Sequence, residues 1–222
     1  MNFDKFTTFL KHRLKNELPG LEIQKIMAPL QNGIPLRGFK APENARRSAV
    51  LILLFKKENK RSPDILFTLR NAHLKNHKGQ ISFPGGRMDE GETPHETALR
   101  EAWEETALLK EAVEILGQLT ELYVPPSNSI IIPVIGFAGN IGNLQPHEAE
   151  VEEIFSVNID EFLKEDSFKK EWRVLDGSHV EIPQWNIHKT TPLWGATAMI
   201  LRELLHLYEE FLQNETHNDK SF

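Results

Sequence analysis

The sequence predicts an α/β fold of three layers, a central sheet with a helix against each face. Three features point to it. The run Ser48-Ala49-Val50-Leu51-Ile52-Leu53-Leu54-Phe55 is continuously apolar, which suits a strand covered on both sides. Between Thr93 and Leu109 apolar residues recur at helical spacing behind a helix-start signal, and Ile200, Leu201, Leu204, Leu205, Tyr208 and Leu212 repeat that spacing near the C-terminus. Two such helices packed on one sheet give the layered arrangement.

The first element is a helix through Phe3, Phe6, Leu10, Leu14 and Leu18 that Pro19-Gly20 ends, serving either core packing or an oligomer contact. Gln24 to Glu43 has scattered Pro and Gly without a period and reads as a connector. After the strand at 48–55, Lys56 to Pro63 is a polar turn and Ile65 to Leu69 returns as its hairpin partner. Val113 to Tyr123 and Ile130 to Phe137 read as further strands joined around Pro125-Pro126-Ser127. Tyr123 is either a core aromatic or a platform for a flat ring. The C-terminal helix follows Trp194-Gly195-Ala196, and Asn214 to Phe222 reads as a frayed polar tail.

With 222 residues and 40% hydrophobic content, the chain can build one substantial core. The expected division is a helix and connector over 1–44, a main domain over 45–213 and the tail over 214–222. The absence of cysteine excludes disulfides and thiol nucleophiles and fits a reducing cytoplasm. No apolar run approaches the roughly 20 residues that span a bilayer. Asp4, Lys5, Lys11 and Arg13 interrupt the N-terminal apolar residues, unlike a signal peptide. A cytoplasmic location away from membranes is therefore expected. The net charge of -6 means that an anionic partner must be drawn by local cations. Nothing resembles a basic, aromatic surface for nucleic acid.

Chemistry concentrates in one stretch. Thr93-Pro94-His95-Glu96 is a capping box with proline at the first helical position, so a helix should begin at Pro94. At about 100° per residue, Ala98, Leu99, Ala102, Trp103, Thr106 and Leu109 fall on a packing arc, leaving Arg100, Glu101, Glu104 and Glu105 on the other. Carboxylates at i, i+3 and i+4 share a face. That face is either a solvated acidic surface or a site for divalent cations, and charge alone does not choose.

The whole pattern, Gly86-x5-Glu92-x7-Arg100-Glu101-x-x-Glu104-Glu105, resembles the signature of the Nudix hydrolases. The family's last glycine is Ala107 here, followed by Leu108. The resemblance implies an αβα sandwich with a mixed central sheet and a loop-helix-loop metal site. It implies Mg2+ or Mn2+ held by Glu101, Glu104 and Glu105 with the Gly86 carbonyl nearby, an oxygen shell of the kind magnesium prefers. It also implies that Glu92 pairs with Arg100 to brace the loop. A glutamate outside the motif often completes the metal shell or acts as base, and Glu150 and Glu153 are the candidates.

Immediately upstream, Leu66-Phe67-Thr68-Leu69-Arg70, Lys75, Gly79 and Phe83-Pro84-Gly85-Gly86 resemble the additional motif of the coenzyme A pyrophosphatase branch, with Phe67, Asn71 and Lys75 as departures. This implies Arg70, Lys75, Gly79, Phe83, Gly85 and Gly86 as substrate-binding residues, with His77 and Lys78 adding hydrogen-bonding or cationic heads. Arg70 is the first candidate to sense the 3′-phosphate of coenzyme A. His73 and His77 make a poor zinc site, since no cysteine or further ligand is suitably spaced. The implied activity is metal-dependent hydrolysis of coenzyme A and its derivatives to adenosine 3′,5′-bisphosphate and 4′-phosphopantetheine. A Nudix enzyme acting on ADP-ribose or NADH, and a non-catalytic nucleotide-binding module, are the alternatives. The expected partner is a small molecule, and a homodimer is compatible with the chain.

Overall fold

The computed structural model describes residues 3–57, 60–73, 79–175 and 177–218. The chain opens with α1 (Phe3–Arg13) and α2 (Gly20–Gln24), followed by a small hairpin of β1 (Leu30–Gln31) and β2 (Ile34–Pro35). Then come β3 (Arg46–Phe55), β4 (Asp64–Arg70), β5 (Ile81–Ser82), β6 (Gly85–Arg87) and α3 (Pro94–Thr106). The remaining elements are β7 (Glu114–Gln118), β8 (Leu122–Val124), β9 (Ser129–Ala138), β10 (Val151–Asn158), β11 (Phe168–Leu175), β12 (Ser178–Trp185) and α4 (Gly195–Asn218).

Among the described residues the strands form two sheets. The larger has the order β10-β4-β3-β9-β7, with β5, β6 and β8 paired at its margins. It is mixed, because β3 and β9 run parallel from Arg46↔Ser129 to Phe55↔Ala138 while the other pairs are antiparallel. The smaller has the order β11-β12-β1-β2.

The apolar run of β3 is explained by two cores. Ala49, Leu51, Leu53 and Phe55 point to one face and meet Ala98 and Ala102 of α3. Ile52 and Leu54 point to the other, where they join Leu204, Leu205 and Tyr208 of α4 with Phe6 and Leu10 of α1. Side chains alternate across a strand, so a strand between two helical layers must be apolar at every position. This is the predicted αβα sandwich.

Four expectations need correction. Helix α1 ends at Arg13, so Leu14 and Leu18 are partly buried loop residues packed on the core. The connector holds the β1–β2 hairpin, too short for any periodicity to show. Val113 to Tyr123 splits into β7 and β8, which pair with different stretches of β9. The C-terminal tail continues helically to Asn218, with Glu215 paired to Lys5 at 2.9 Å. Strands β11 and β12 are not expected from the sequence: β11 is mostly exposed, with the charged Lys169, Lys170, Glu171 and Arg173 among its apolar residues, and in β12 the buried Val180 and Ile182 alternate with His179 and Glu181 over only a few residues. The buried Phe6 and Leu10 make α1 a packing element. No helix among the described residues is long and apolar enough to cross a membrane.

Glu203 of α4 is fully buried, and its carboxylate accepts hydrogen bonds from Gly20 N (3.0 Å), Gln24 Nε2 (2.8 Å), Thr120 N (3.2 Å) and Thr120 Oγ1 (2.7 Å). A buried carboxylate is tolerable when its lone pairs are filled in this way.

Candidate active site

Helix α3 starts where the sequence places it. Thr93 Oγ1 accepts from Glu96 N, the Glu96 carboxylate accepts from Thr93 N at 2.8 Å, and Pro94 occupies the first turn. At its other end Ala107 takes the left-handed conformation the family's glycine would take, with φ 57°. An L-residue there costs about 1–2 kcal/mol. Ala107→Gly should therefore stabilise the protein by about 0.5–1 kcal/mol, read as a rise in thermal midpoint at unchanged activity.

The buried arc of α3 is turned from the predicted one. Trp103 is 56% exposed and Leu109 62%, whereas Glu105 is only 3% exposed. The arc runs through Thr97, Glu101, Glu105, Ala98 and Ala102, so the carboxylate face borders the sheet.

Arg100 organises the loop before the helix. Its Nε and Nη2 donate to the two Glu92 oxygens at 2.7 and 2.9 Å, Nη1 donates to Glu101 at 2.8 Å and lies 3.3 Å from Glu104, and Nη2 reaches the Arg87 carbonyl at 3.1 Å. The guanidinium, with help from the Thr97 hydroxyl, holds the Glu92 carboxyl down at about 2.

Glu101 and Glu105 are shifted the other way. Burial raises both, and the Glu105 carboxyl is pushed up to about 8. Arg70, whose Nη1 lies 3.4 Å from Glu105 Oε1, offsets part of that shift, while the charges of Glu101 and Glu150 add to it. Glu105 Oε2 is buried with no hydrogen-bond partner. Among the described residues no three acidic or histidine side chains stand at metal-ligand spacing, since Arg100 reaches both Glu101 and Glu104. The donor set nevertheless fits a hard cation: the buried Glu105 and the partly buried Glu101, both raised by burial, one Glu105 oxygen orphaned, and the Glu150 charge within range.

Gly85 and Gly86 lie on β6 against β3. A Cβ at Gly86 would come within 2.5 Å of the Glu101 carboxyl carbon and both its oxygens, and one at Gly85 would come within 2.5 Å of the Ala49 carbonyl oxygen. The two glycines thus serve different neighbours. Gly86→Ala should displace Glu101 and cut kcat by roughly 10- to 100-fold with little change in unfolding midpoint. Gly85→Ala should instead destabilise the sheet, and both are checked by pairing kinetics with thermal unfolding.

Arg70, Phe83, Gly85 and Gly86 line one cavity of about 520 Å³, together with Tyr123 of β8, Pro125 and Pro126 of the β8–β9 turn and Trp194 before α4. Phe83 stacks on Phe67 at 5.2 Å. Tyr123 is half-buried, and its hydroxyl lies 3.1 Å from Asn128 Oδ1. Gly79 (φ 63°) donates to the Arg70 carbonyl at 3.0 Å. Lys75, His77 and Lys78 lie outside the described residues.

Of the two outer glutamates, Glu150 is the one whose charge bears on Glu101 and Glu105. Its carbonyl accepts from Asn71 N at 2.8 Å, and Asn71 Nδ2 donates to Glu148 O at 2.9 Å. The same loop caps α3, with Gln145 N on Thr106 O (2.9 Å) and His147 N on Glu105 O (3.0 Å). Glu153 lies on β10, where its carboxylate is 3.2 Å from His188 Nε2. The anchoring by Asn71 and the cavity walls from Arg37 and Trp194 had no sequence signal, because they arise between segments far apart in the chain.

The NUDIX domain profile matches residues 45–176, more than half of the chain. Nudix hydrolase 3 of Caenorhabditis elegans is 33% identical over 162 residues, covering 64% of this chain and 66% of that protein. The uncharacterized Nudix hydrolase NudL of Enterobacter sp. (strain 638) is 35% identical over 171 residues, 72% of this chain and 82% of its own length. The solved Nudix hydrolase RenU of M. smegmatis is 23% identical, with a TM-score of 0.47 over 57% of this chain and 82% of that one. With the NUDIX profile over 45–176 and the NudL relative at 35% identity, and with the glycine turn, the Arg100 brace and the glutamate face all falling inside the profile, the chain belongs to the Nudix hydrolase family.

Proposed function

We propose that the protein hydrolyses the diphosphate bond of coenzyme A and its derivatives, releasing adenosine 3′,5′-bisphosphate and a 4′-phosphopantetheine. The observation that carries the reading is the gathering of Arg70, Phe83, Gly85 and Gly86 on one cavity whose Gly86 wall touches the Glu101 carboxylate. Nudix hydrolases generally use divalent ions such as Mg2+ or Mn2+. Glu101, Glu104 and Glu105, with the Gly86 carbonyl, are the groups that would hold such an ion, which when bound would neutralise phosphoryl oxygens and lower the pKa of water.

The chain's own residues supply the remainder. Arg70 places a cation at the diphosphate end, where a guanidinium suits phosphate geometry. Arg100 and Glu92 fix the loop that presents Gly86. Glu150 is favoured over Glu153 as the base that takes the proton of the attacking water, since Glu153 faces His188. Tyr123 offers a half-exposed ring to the adenosine, and Phe83, stacked on Phe67 in the core, backs the cavity wall.

The test is chromatographic product analysis after incubation with Mg2+ or Mn2+ and, separately, coenzyme A, dephospho-coenzyme A, ADP-ribose and NADH. Release of adenosine 3′,5′-bisphosphate as the favoured product supports the reading. Preference for ADP-ribose or NADH overturns the coenzyme A assignment and keeps the hydrolase.

A further inference from the structure

The cavity is electrostatically one-sided. Among the described residues lining it, Arg37 and Arg70 are the charged side chains and none is acidic, in a chain with 32 acidic and 26 basic residues. The two arginines come from different sheets: Arg70 ends β4 of the large one, and Arg37 follows β2 of the small one, ahead of the segment matched by the NUDIX profile. Apolar Leu36 and Phe39 flank Arg37 on the same wall. Such a lining takes a ligand with an apolar or aromatic body and more than one anionic group.

Arg70 is committed to the reacting end by its 3.4 Å approach to the buried Glu105. A second anionic group on the same ligand needs a second cation. Arg37 is exposed at the cavity wall, where a dianion can be met without being stripped of water, and its planar fork can take two phosphate oxygens together. We infer that Arg37 is a specificity-determining residue that binds a phosphate group of the substrate separate from the diphosphate being cleaved. The inference rests on the proposed function, and it moves the sensing of a 3′-phosphate from Arg70 to Arg37.

The test uses the full chain as wild type, Arg37→Ala and Arg37→Lys. Calorimetric titration with adenosine 3′,5′-bisphosphate and with adenosine 5′-monophosphate should show wild type preferring the bisphosphate by roughly tenfold, the strength of a charge-assisted contact partly screened by solvent. Arg37→Ala should lose that preference and Arg37→Lys keep part of it. In kinetics, the ratio of kcat/KM for coenzyme A to that for dephospho-coenzyme A should fall at least about fivefold in Arg37→Ala. No preference in wild type, or a preference that survives Arg37→Ala, overturns the inference. An Arg37-dependent preference in a protein that does not hydrolyse coenzyme A upholds it and defeats the proposed activity.

Discussion

Glu105→Gln lowers kcat at least about 100-fold, because it removes a charge from the oxygen set that would hold the metal. Its effect on stability runs the other way. In metal-free protein the Glu105 carboxyl is raised from 4.5 to about 8 by burial. A carboxyl raised in the folded state contributes stability that is fully present below its unfolded value and is lost as pH rises towards the folded one. Wild type in the presence of a chelator should therefore become easier to unfold between about pH 4.5 and pH 8, while glutamine, which never ionises, flattens that slope. Adding Mg2+ should flatten it in wild type and leave the variant unmoved. Chemical denaturation across this range, with and without metal, checks all three outcomes. A variant as active as wild type would remove Glu105 from the site.

Arg100→Ala carries the largest expected loss of stability near the site. The guanidinium joins Glu92, Glu101, Glu104 and the Arg87 carbonyl, and only a quarter of the side chain is exposed. Its removal leaves Glu92 and the partly buried Glu101 without their cation, which should cost about 2–3 kcal/mol. The thermal midpoint should fall by roughly 5–10 °C. Lysine cannot reproduce the paired bonds to Glu92, so Arg100→Lys should recover less than half of the loss. A double-mutant cycle with Glu92→Ala separates this pair from the rest, and an interaction energy near zero would show that the brace contributes nothing.

Much of this was legible in the sequence because it is local. The start of α3 follows from Thr93, Pro94 and Glu96, all within one turn. The two-faced burial of β3 follows from a run with no polar position between Ala49 and Phe55. The orientation of α3 was not legible: Ala98 and Ala102 belong to the buried arc as predicted, but periodicity cannot say that Glu101 and Glu105 border the sheet and Trp103 does not. The sheet decides, because Gly86 leaves room for the Glu101 carboxylate and Arg70 meets Glu105. Strand β11 escaped because it is exposed on an edge, whereas the interior β12 shows only a short alternation, with Val180 and Ile182 buried between His179, Glu181 and Pro183. Arg37 could not be found at all from sequence, because its place on the cavity depends on a hairpin that pairs with β12, far along the chain.

Glu203 gives the flanks of the domain a common fate. It stands on α4, beyond one end of the NUDIX match, and grips Gly20 and Gln24, before the other end. The two extensions are thus clasped to each other through one carboxylate, which also holds Thr120, just ahead of β8. Tyr123 of β8, Trp194 ahead of α4 and Arg37 downstream of α2 all face the same cavity. Cutting the chain back to the NUDIX segment would remove the carboxylate together with its Gly20 and Gln24 donors, leave Thr120 without its acceptor and open the cavity along its length. The glutamate helix lies wholly inside the NUDIX match while part of the cavity wall comes from the clasped flanks, so that part of the wall can change without moving the helix.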